Sequence, residues 1–358
     1  MRAVELSIVV PMLDEEATLP DLLTDLAAQQ TVSFELLLVD GGSTDRTRQV
    51  AASGLQQLGL TGAVLDCARG RGRQLNVGAA RASGDWLLFL HADSRLPEPD
   101  LLSRSLALLR RQAVKTPAAM LAGHLSLEFA GADAAAGRAY TFYQAKARSG
   151  RPGTIHGDQG FWVRADDLQR LGGYREDLPV MEDSAFAETL RARGEWLLLP
   201  GRIVTSPRRF EAEGLAERQT LNALLMNFLT IDWLDFIHQA PALYRQQSLA
   251  RRLDLLPFFD LVETLLAQMP AERRRAIWLA TGRYVRGQAW QIGFYLDLRN
   301  GRQHWTDWFD RRFLPWTDRP WADHFTAWLV KRWFYGKRAR MQRAARRTGA
   351  VQNAGAKP

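Results

Sequence analysis

The sequence is poor in cysteine and in long apolar runs. Its 358 residues include one cysteine, Cys67, which excludes an internal disulfide and a zinc site built from cysteines and fits a reducing compartment. No stretch offers about 18 uncharged apolar residues, so we expect no membrane-spanning helix. The apolar stretch near the N-terminus is too short for a signal peptide and runs into acidic residues. Together these absences favour a cytoplasmic protein.

Acidic residues are missing from the C-terminal tail. Residues 331–358 carry nine Lys or Arg and no Asp or Glu, which leaves 38 basic and 39 acidic side chains in the other 330 residues. The formal net charge of +8 therefore belongs to the tail. Such a tail suits weak contact with an anionic membrane, although a solvated, flexible end is the commoner case. We expect no specific nucleic-acid partner.

The first half of the chain alternates strand patterns with helix patterns. Short apolar runs predict strands, and apolar residues at helical spacing predict helices. This alternation predicts an α/β domain with a mostly parallel sheet flanked by helices. The predicted strands are 5–10, 34–40, 62–66, 85–90 and 122–129, and the predicted helices are 15–30, 44–58, 71–82, 98–112, 134–147 and 181–193.

The second half has helical patterns only, from about residue 213. Seven of the 12 tryptophans lie beyond residue 289. The stretch "HQAPALY" interrupts the helical pattern, and we place a boundary near residue 240 there. The predicted organisation is a catalytic-type domain over 1–240, a helical Trp/Arg-rich region over 241–335 and a basic, flexible tail over 336–358.

A glycine-rich phosphate loop is absent after the first strand. A dinucleotide-binding unit places G-x-G-x-x-G there, whereas this chain has "PMLDEEATLP". Carboxylates at that point repel phosphate but accept hydrogen bonds from ribose hydroxyls or a base. Acidic residues in a first helical turn also complement the helix dipole, so a purely structural interpretation of Glu15 and Glu16 stays open.

Two further strands end in acidic residues. "LLLVDGGSTD" places Asp40 at the end of the second strand, and capping of the next helix explains Ser43 or Thr44 but not Asp40. "LLFLHAD" places His91 and Asp93 directly after a buried strand. Ligands of open α/β sheets bind outside the carboxyl ends of the strands, so this pattern favours a metal or phosphate site. A polar loop that merely follows a strand is the alternative.

Basic residues lie at the predicted start of a helix. "RGRGRQLN" places Arg71 and Arg73 where backbone N–H groups and guanidinium groups together can bind an anion. For either arginine alone, a solvated surface position is the ordinary interpretation.

Four stretches together resemble family 2 glycosyltransferases with the GT-A fold. They are "VVPMLDEEATLPDLL", "LLLVDGGSTDRT", "RGRGRQLNVGAARASGDWLLFLHADSRLP" and "GDQGFWVRADDLQRLGGYREDLPVMED". The sequence is most similar to a small bacterial branch with an H-A-D motif in place of D-x-D, and the resemblance covers residues 5–230. It implies a GT-A type, Rossmann-like, mostly parallel sheet flanked by helices, followed here by an all-helical C-terminal region.

The resemblance also implies an activity and a cofactor. Members of the family transfer a sugar from a nucleotide-sugar donor to an acceptor hydroxyl with inversion at the anomeric carbon. They use a divalent metal, commonly Mg²⁺ or Mn²⁺. We therefore expect a metal-dependent glycosyltransferase of the hexosyltransferase type, with donor sugar and acceptor unknown.

Roles for individual residues follow from the resemblance. Asp93 matches the last acid of D-x-D, which holds the metal on the donor diphosphate, while His91 departs from the first aspartate of that motif. In "PVMEDSAF", Asp183 matches the general base that takes the acceptor's proton, and Glu182 supports it. The implied contacts to the nucleotide sugar are Pro11, Glu15, Asp40, Arg73, Asn76, His91, Asp158, Gln159, Arg208 and Arg209.

Two other functions stay open at this point. A sugar nucleotidyltransferase shares the type of fold, but it needs a glycine-rich loop after the first strand, which is absent here. An inactive scaffold that still binds nucleotide sugars is compatible with His91, whereas Asp93 and Asp183 argue against it.

Residues 241–358 lie beyond the resemblance. Near the end of the chain, Trp and Phe are interleaved with Arg and Lys. Packing of the tryptophans within a helical module explains this pattern, and so does an interfacial membrane helix. The charge of the tail makes us expect weak, salt-sensitive peripheral contact with the inner face of a membrane.

Overall fold

The computed structural model describes residues 4–117, 119–131, 137–247 and 252–354, with side chains described as far as residue 347. The chain divides into two compact units, Met1–Arg208 and Arg209–Pro358. The predicted limits near residues 240 and 335 both fall inside helices of the second unit, Leu234–Arg245 and Pro320–Ala354.

The first unit is built on a sheet that has seven strands within the described residues. The strands are β1 (Leu6–Met12), β2 (Phe34–Asp40), β3 (Gly62–Asp66), β4 (Trp86–Phe89), β5 (Met120–Phe129), β6 (Phe161–Arg164) and β7 (Gly194–Thr205). Their order is β3-β2-β1-β4-β6-β5-β7. β6 runs antiparallel to both of its neighbours, and the other neighbouring pairs are parallel.

Helices flank this sheet, and the predicted α/β architecture is confirmed. The sheet is covered on both faces, as the continuous apolar runs of β1, β2 and β4 predict. Trp162 is fully buried, and Trp196 packs partly buried against the core. The helices are α1 (Leu19–Ala27), α2 (Thr47–Gln57), α3 (Arg71–Arg81), α4 (Leu101–Lys115), α5 (Gly137–Arg148), α6 (Ala165–Leu171) and α7 (Glu182–Arg191).

The second helix begins later than predicted, at Thr47, and neither Ser43 nor Thr44 caps it. The backbone N–H of Thr44 instead donates to Asp14 Oδ1 at 2.7 Å, and that of Thr47 donates to Asp45 Oδ1 at 2.9 Å. These carboxylates satisfy N–H groups that helix starts leave without partners. The segment before α2 therefore folds as a turn and not as a first helical turn.

The second unit is helical throughout its described residues, as predicted. Its core contains the fully buried rings of Phe236, Phe258 and Phe259. None of the helices in the described ranges combines the length and apolarity needed to cross a membrane. The helices are α8 (Arg208–Glu213), α9 (Leu215–Thr230), α10 (Leu234–Arg245), α11 (Leu256–Ala267), α12 (Ala271–Gln288), α13 (Trp290–Asn300), α14 (His304–Trp308), α15 (Leu314–Thr317) and α16 (Pro320–Ala354), with a π-helical turn at Phe309–Phe313.

Gln74 of α3 joins the carboxyl ends of β1 and β2. Its buried side-chain Nε2 donates to the carbonyl oxygens of Met12 at 2.9 Å and Val39 at 2.8 Å. A Cβ at Gly41 would lie 2.9 Å from the Gln74 amide, so a larger residue there would displace this amide from its two hydrogen bonds. One side chain thus holds together the strand ends that carry the predicted site.

Replacing Gln74 with Leu should lower the free energy of unfolding by about 1–3 kcal/mol, because buried carbonyl groups lose a donor. Chemical denaturation measures this difference. Gln56→Leu, on the exposed side of α2, is the matched control and should change stability by less than about 0.5 kcal/mol. Equal losses in the two variants would contradict a specific role for the Gln74 amide.

Candidate active site

The carboxyl ends of β1, β2 and β4 lie side by side at one edge of the sheet. β1 is the central strand of the three, with Met12 opposite Asp40 of β2 and Val9 opposite Phe89 of β4. Side chains that follow these strands therefore gather at the edge where open α/β sheets bind ligands. The predicted acidic residues fall into two groups along it.

Asp40 and Glu15 belong to the first group. Asp40 is only 1% exposed, and its carboxylate accepts hydrogen bonds from the N–H groups of Gly42 and Ser43 at 3.2 Å. Glu15 accepts a hydrogen bond from the Thr18 hydroxyl at 2.6 Å, and Pro11 pairs with Val39 inside the sheet. The contacts shown by these side chains shape the turns after β1 and β2, and their contact with a nucleotide stays a prediction.

Arg71, at the start of α3, is the centre of the second group. Its Nε lies 2.7 Å from Glu182 Oε1, and its Nη1 lies 3.1 Å from His91 Nε2. Burial alone would lower the pKa of Arg71, but the carboxylates of Glu182, Asp183, Asp158 and Asp93 raise it. A permanent positive charge therefore stands among four acidic side chains.

The contact with Arg71 indicates the protonation of His91. A guanidinium group has donors and no acceptor, so His91 Nε2 must accept this hydrogen bond. The imidazole is then neutral, with its proton on Nδ1. In this arrangement His91 orients Arg71, and its Nε2 lone pair is not available to a metal.

Asp183 lies at the start of α7 and is held from two sides. Its Oδ2 accepts a hydrogen bond from the N–H of Gly157 at 2.7 Å, and its Oδ1 accepts one from the N–H of Ser184 at 2.6 Å. Burial would raise the pKa of Asp183, but Arg71, His156 and the Gly157 N–H lower it below its ordinary value. Asp183 is therefore a partly exposed carboxylate that stays ionised at neutral pH.

Two backbone features aim the side chains of α7. Met181, directly before the helix, adopts a left-handed conformation with φ 68°, which is uncommon for a residue with a side chain. A Cβ at Gly157 would lie 2.8 Å from Asp183 Oδ2 and 2.9 Å from His91 Nε2. Only glycine at residue 157 allows the end of β4 and the start of α7 to approach so closely.

These side chains surround one small cavity. Charged groups occupy one part of its wall and rings another. Tyr174, on the loop after α6, has a buried hydroxyl with no hydrogen-bond partner among the described residues, and burial raises its pKa well above the ordinary value. The cavity is lined by Arg71, Leu75, Phe89, Leu90, His91, Gly157, Phe161, Tyr174, Glu182 and Asp183.

Asp158 and Asp93 lie next to this cluster. Burial, together with the charges of Asp183 and Asp93, raises the pKa of Asp158 to about 7. Asp158 Oδ1 is buried and has no hydrogen-bond partner in the described part of the chain. Asp93 is partly exposed, two residues after His91. Asp158 is thus an acid that changes charge near neutral pH, and it lies beside the ionised carboxylate of Asp183.

Arg73 and Asn76 of α3 contact the loop after α6 and not the cavity. Arg73 Nε donates to Glu176 Oε2 at 3.1 Å, while Asn76 Nδ2 donates to the carbonyl of Tyr174 at 2.9 Å and Asn76 Oδ1 accepts from the Tyr174 N–H at 2.8 Å. They hold the loop that carries Tyr174 and do not line the cavity. Arg71 and Tyr174 were therefore the residues missing from the predicted site. "RGRGRQLN" did single out Arg71, but the resemblance assigned the nucleotide contact to Arg73.

The remaining predicted residues lie apart from the cavity wall. Gln159 is buried and its Nε2 donates to the carbonyl of Thr154 at 2.9 Å. Arg208, the last residue of the first unit, donates to the Ser206 hydroxyl at 3.0 Å. Arg209 begins the second unit. Roles for these three side chains in donor binding stay predictions.

The chemistry of the acidic residues fits the implied divalent metal. Mg²⁺ is commonly held by one or two carboxylates together with substrate phosphates. Asp93 is accessible, and its charge acts on Asp158, whose Oδ1 is an unpaired oxygen. Within the described ranges, no group of three or more His, Cys, Asp or Glu side chains is arranged to hold a metal. Oxygens of a bound diphosphate would have to complete the coordination.

The family is identified by its sequence pattern. Residues 7–166 match the family model described as glycosyl transferase family 2. This part of the chain belongs to that family. The matched residues of the family 2 domain include most of β1 and all of β2 to β6. They include the first group of acidic residues and Asp93 and Asp158 of the second group, but not Glu182 and Asp183.

Known relatives match parts of the chain. A PGL/p-HBAD biosynthesis glycosyltransferase of Mycobacterium bovis is 42% identical over 110 residues, which are 30% of this chain and 43% of that protein. An undecaprenyl-phosphate 4-deoxy-4-formamido-L-arabinose transferase of Shewanella sediminis is 33% identical over 100 residues, which are 26% of this chain and 30% of that protein. The chain thus spans less than half the length of either relative.

Among solved structures, S. aureus TarS 1-349 in complex with UDP is similar over 86% of this chain and 92% of that chain. The sequence identity is 17% and the TM-score is 0.47. The mannosyltransferase PcManGT from Pyrobaculum calidifontis, in complex with GDP-Man and Mn²⁺, is similar over 78% of this chain and 86% of its own chain. The sequence identity is 19% and the TM-score is 0.45.

Replacing Asp158 with Asn in the family 2 domain should change how stability depends on pH. An acid whose pKa is raised on folding binds a proton more tightly in the folded state, so stability falls as pH rises from about 4 to about 7. Asn removes this loss, so the variant should gain on the order of 2 kcal/mol relative to wild type between pH 5 and pH 8. Chemical denaturation at both pH values measures the difference. Asp85→Asn, an exposed control, should run parallel to wild type, and parallel curves for Asp158→Asn would contradict the raised pKa.

Proposed function

We propose that the chain is an inverting glycosyltransferase that moves a sugar from a nucleotide-sugar donor to an acceptor hydroxyl by a metal-assisted single displacement. One observation carries the proposal: a single cavity at the carboxyl edge of the sheet is lined by an ionised carboxylate, Asp183, and by a guanidinium, Arg71. A displacement of this kind needs a base beside the acceptor and positive charge beside the leaving group.

Asp183 acts as the general base. The acceptor oxygen attacks the anomeric carbon from the face opposite the leaving group, while its proton passes to a carboxylate oxygen of Asp183. The bond from the anomeric carbon to the phosphate oxygen breaks, and the nucleoside diphosphate leaves with the electron pair. One attack from the opposite face inverts the configuration. The N–H groups of Gly157 and Ser184 keep the carboxylate oriented during this step.

Arg71 stabilises the leaving group. Negative charge develops on the departing diphosphate, and a guanidinium binds phosphate oxygens with charge-assisted hydrogen bonds. Glu182 and His91 are positioning residues, because each contacts Arg71 and holds it in the cavity. When a diphosphate takes up part of the charge of Arg71, Asp183 loses stabilisation of its ionised form, and its pKa rises toward the value of a more effective base.

Asp93 supplies the protein ligand of the metal, with Asp158 next to it. A divalent cation would neutralise charge on the donor diphosphate and so assist its departure. With His91 in place of the usual first aspartate, one carboxylate of the usual pair is replaced by a side chain that holds Arg71. We infer that Arg71 contributes part of the positive charge at this site.

The proposal specifies the donor only as a nucleotide sugar and the acceptor only as a hydroxyl compound. The relatives are named for PGL/p-HBAD biosynthesis and for transfer involving undecaprenyl phosphate, so lipid-linked acceptors belong in an acceptor screen. Incubation with UDP-, GDP- and dTDP-sugars, with and without Mn²⁺, tests the activity itself. Release of a nucleoside diphosphate supports a glycosyltransferase. Release of pyrophosphate from a nucleoside triphosphate and a sugar phosphate would instead indicate a nucleotidyltransferase, and binding without turnover would indicate a scaffold.

Replacing Asp183 with Asn should separate chemistry from donor binding. The change is similar in shape and removes basicity, but it puts an NH2 group in place of one oxygen that accepts the N–H of Gly157 or Ser184. Transfer should fall by about a hundredfold or more, and a donor affinity within about threefold of wild type shows that the site keeps its shape. Steady-state kinetics and calorimetric titration with the donor nucleotide measure the two effects. Asp166→Asn, an exposed acid in the first turn of α6, is the control and should leave both unchanged. Near-normal turnover of Asp183→Asn would place the base elsewhere.

Replacing Asp93 with Ala should remove the effect of Mn²⁺ on donor binding. If Asp93 holds the metal on the diphosphate, adding Mn²⁺ to wild type should tighten nucleoside diphosphate binding by about tenfold or more, and the variant should show no such gain. Calorimetric titrations with and without Mn²⁺ make the comparison, and Asp85→Ala is the control. A variant that keeps the full Mn²⁺ effect would rule out Asp93 as the metal ligand.

A further inference from the structure

An exposed band of aromatic side chains crosses the second unit. Trp316 is 62% exposed, Phe325 53% and Trp328 51%, and three further tryptophans in the same stretch are also exposed. Water-exposed rings in such number are unusual on a soluble surface and mark a site of interaction. We call this set the aromatic band; it consists of Trp305, Trp308, Trp316, Trp321, Phe325 and Trp328.

Ring contacts make the band continuous. Trp305 and Trp308 have ring centroids 6.4 Å apart, and Phe313, partly buried, links Trp308 at 5.7 Å to Trp316 at 6.4 Å. Trp316 and Trp321 are 5.5 Å apart. The chain of rings thus passes from α14 through the π-helical turn and α15 onto α16.

On α16 the band continues along one face of the helix. Trp321, Phe325 and Trp328 are spaced four and three residues apart, which places them on the same side. Phe325 and Trp328 stack with ring centroids 6.0 Å apart. These positions are all exposed, so this side of α16 remains open along its aromatic residues.

The opposite face of α16 is committed to the core of the second unit. Ala327 and Phe334 are buried, and a Cβ on Gly282 of α12 would lie 2.6 Å from the backbone nitrogen of Ala327. Arg286, only 5% exposed, donates to Asp323 at 3.1 Å and to Asp318 at 2.8 Å. The helix therefore cannot turn to bury its aromatic face without breaking this close packing and these ion pairs.

The segment of the chain that carries the band is rich in basic residues. Residues 299–347 contain 13 Lys or Arg and four Asp. Two of the four acidic residues, Asp318 and Asp323, pair with Arg286. The guanidinium carbon of Arg332 lies 5.3 Å from the centre of the Trp328 ring, so cationic groups also lie against the band itself.

We propose that the aromatic band is a docking surface for an anionic lipid bilayer. The rings would enter the headgroup region while the arginines and lysines around them contact lipid phosphates. Tryptophan is the residue most suited to that depth, because its ring is apolar and its N–H remains polar. Charge favours a bilayer over a protein partner, because 13 basic against four acidic side chains in residues 299–347 complement a surface of phosphates.

This inference does not depend on the proposed catalytic activity. Membrane binding through the aromatic band differs from binding through the basic tail alone in how it responds to salt. Contact through charge alone disappears as salt screens it, whereas insertion of rings leaves a part of the binding that salt does not remove. Failure of the docking proposal and failure of the catalytic proposal are distinguishable, because vesicle binding is measured without a donor nucleotide.

The test uses the full chain and vesicles of phosphatidylcholine, either alone or with about 30% phosphatidylglycerol. Co-sedimentation is measured at about 100 mM and about 500 mM salt. The variant Trp316→Ser/Phe325→Ser/Trp328→Ser removes three exposed rings. Val114→Ser/Leu198→Ser removes exposed apolar side chains from the first unit and is the matched control. Far-UV circular dichroism checks that each variant is folded.

We expect wild type and the control to bind anionic vesicles equally and the triple variant to bind at least about tenfold more weakly, with the largest relative difference at high salt. As a second measurement that requires no variant, vesicles with brominated acyl chains should quench the tryptophan fluorescence of wild type. Absence of wild-type binding, binding without quenching, or equal binding by the triple variant would each overturn the proposal. Loss of self-association in the triple variant, with no vesicle binding by wild type, would assign the band to contact between two copies instead.

Discussion

The contact of Arg71 with Glu182 and His91 is the interaction on which the rest of the site depends. Two unit charges 4 Å apart attract by about 4 kcal/mol at an effective dielectric constant of 20, and burying an ion costs several kcal/mol. The Arg71 side chain is 39% exposed, so the cost of its partial burial is smaller, and the several acids around it stabilise its charge. The acids need the cation equally, because burial alone would raise the pKa of Asp183. Arg71 therefore allows several acidic side chains to gather at this edge of the sheet while Asp183 stays ionised.

The backbone conformation before α7 also positions the acidic residues of the cluster. A residue other than glycine in the left-handed region costs about 1–3 kcal/mol, and Met181 accepts that cost directly before Glu182 and Asp183. The turn lets one acid reach Arg71 while the next accepts the N–H of Gly157. Local strain before α7 is thus offset by two strong contacts within its first turn.

Much of the fold could be predicted because its signals are local. Continuous apolar runs predicted β1, β2 and β4, and the end of β4 correctly pointed to His91 and Asp93 at the sheet edge. The side chains of α3 could not be assigned in this way. Arg71 and Arg73 are two residues apart, so their side chains leave the helix in different directions. The ion pair of Arg73 with Glu176 joins residues far apart in the sequence, so no local pattern predicts it. Asp40 lies at the end of β2 as predicted. Its hydrogen bonds with Gly42 and Ser43 could not be predicted, because the shape of that turn depends on contacts with Asp14.

The packing of α16 on α12 has a consequence for the energetics of any binding at the aromatic band. Many membrane-active helices are unstructured in water and must lose conformational entropy when they fold at a surface. Here the helix is already held by the close contact at Gly282 and by the ion pairs of Arg286. The aromatic side chains on α16 are therefore preorganised before binding. Binding should therefore proceed without a gain in helix content, and its free energy is not reduced by folding of the helix.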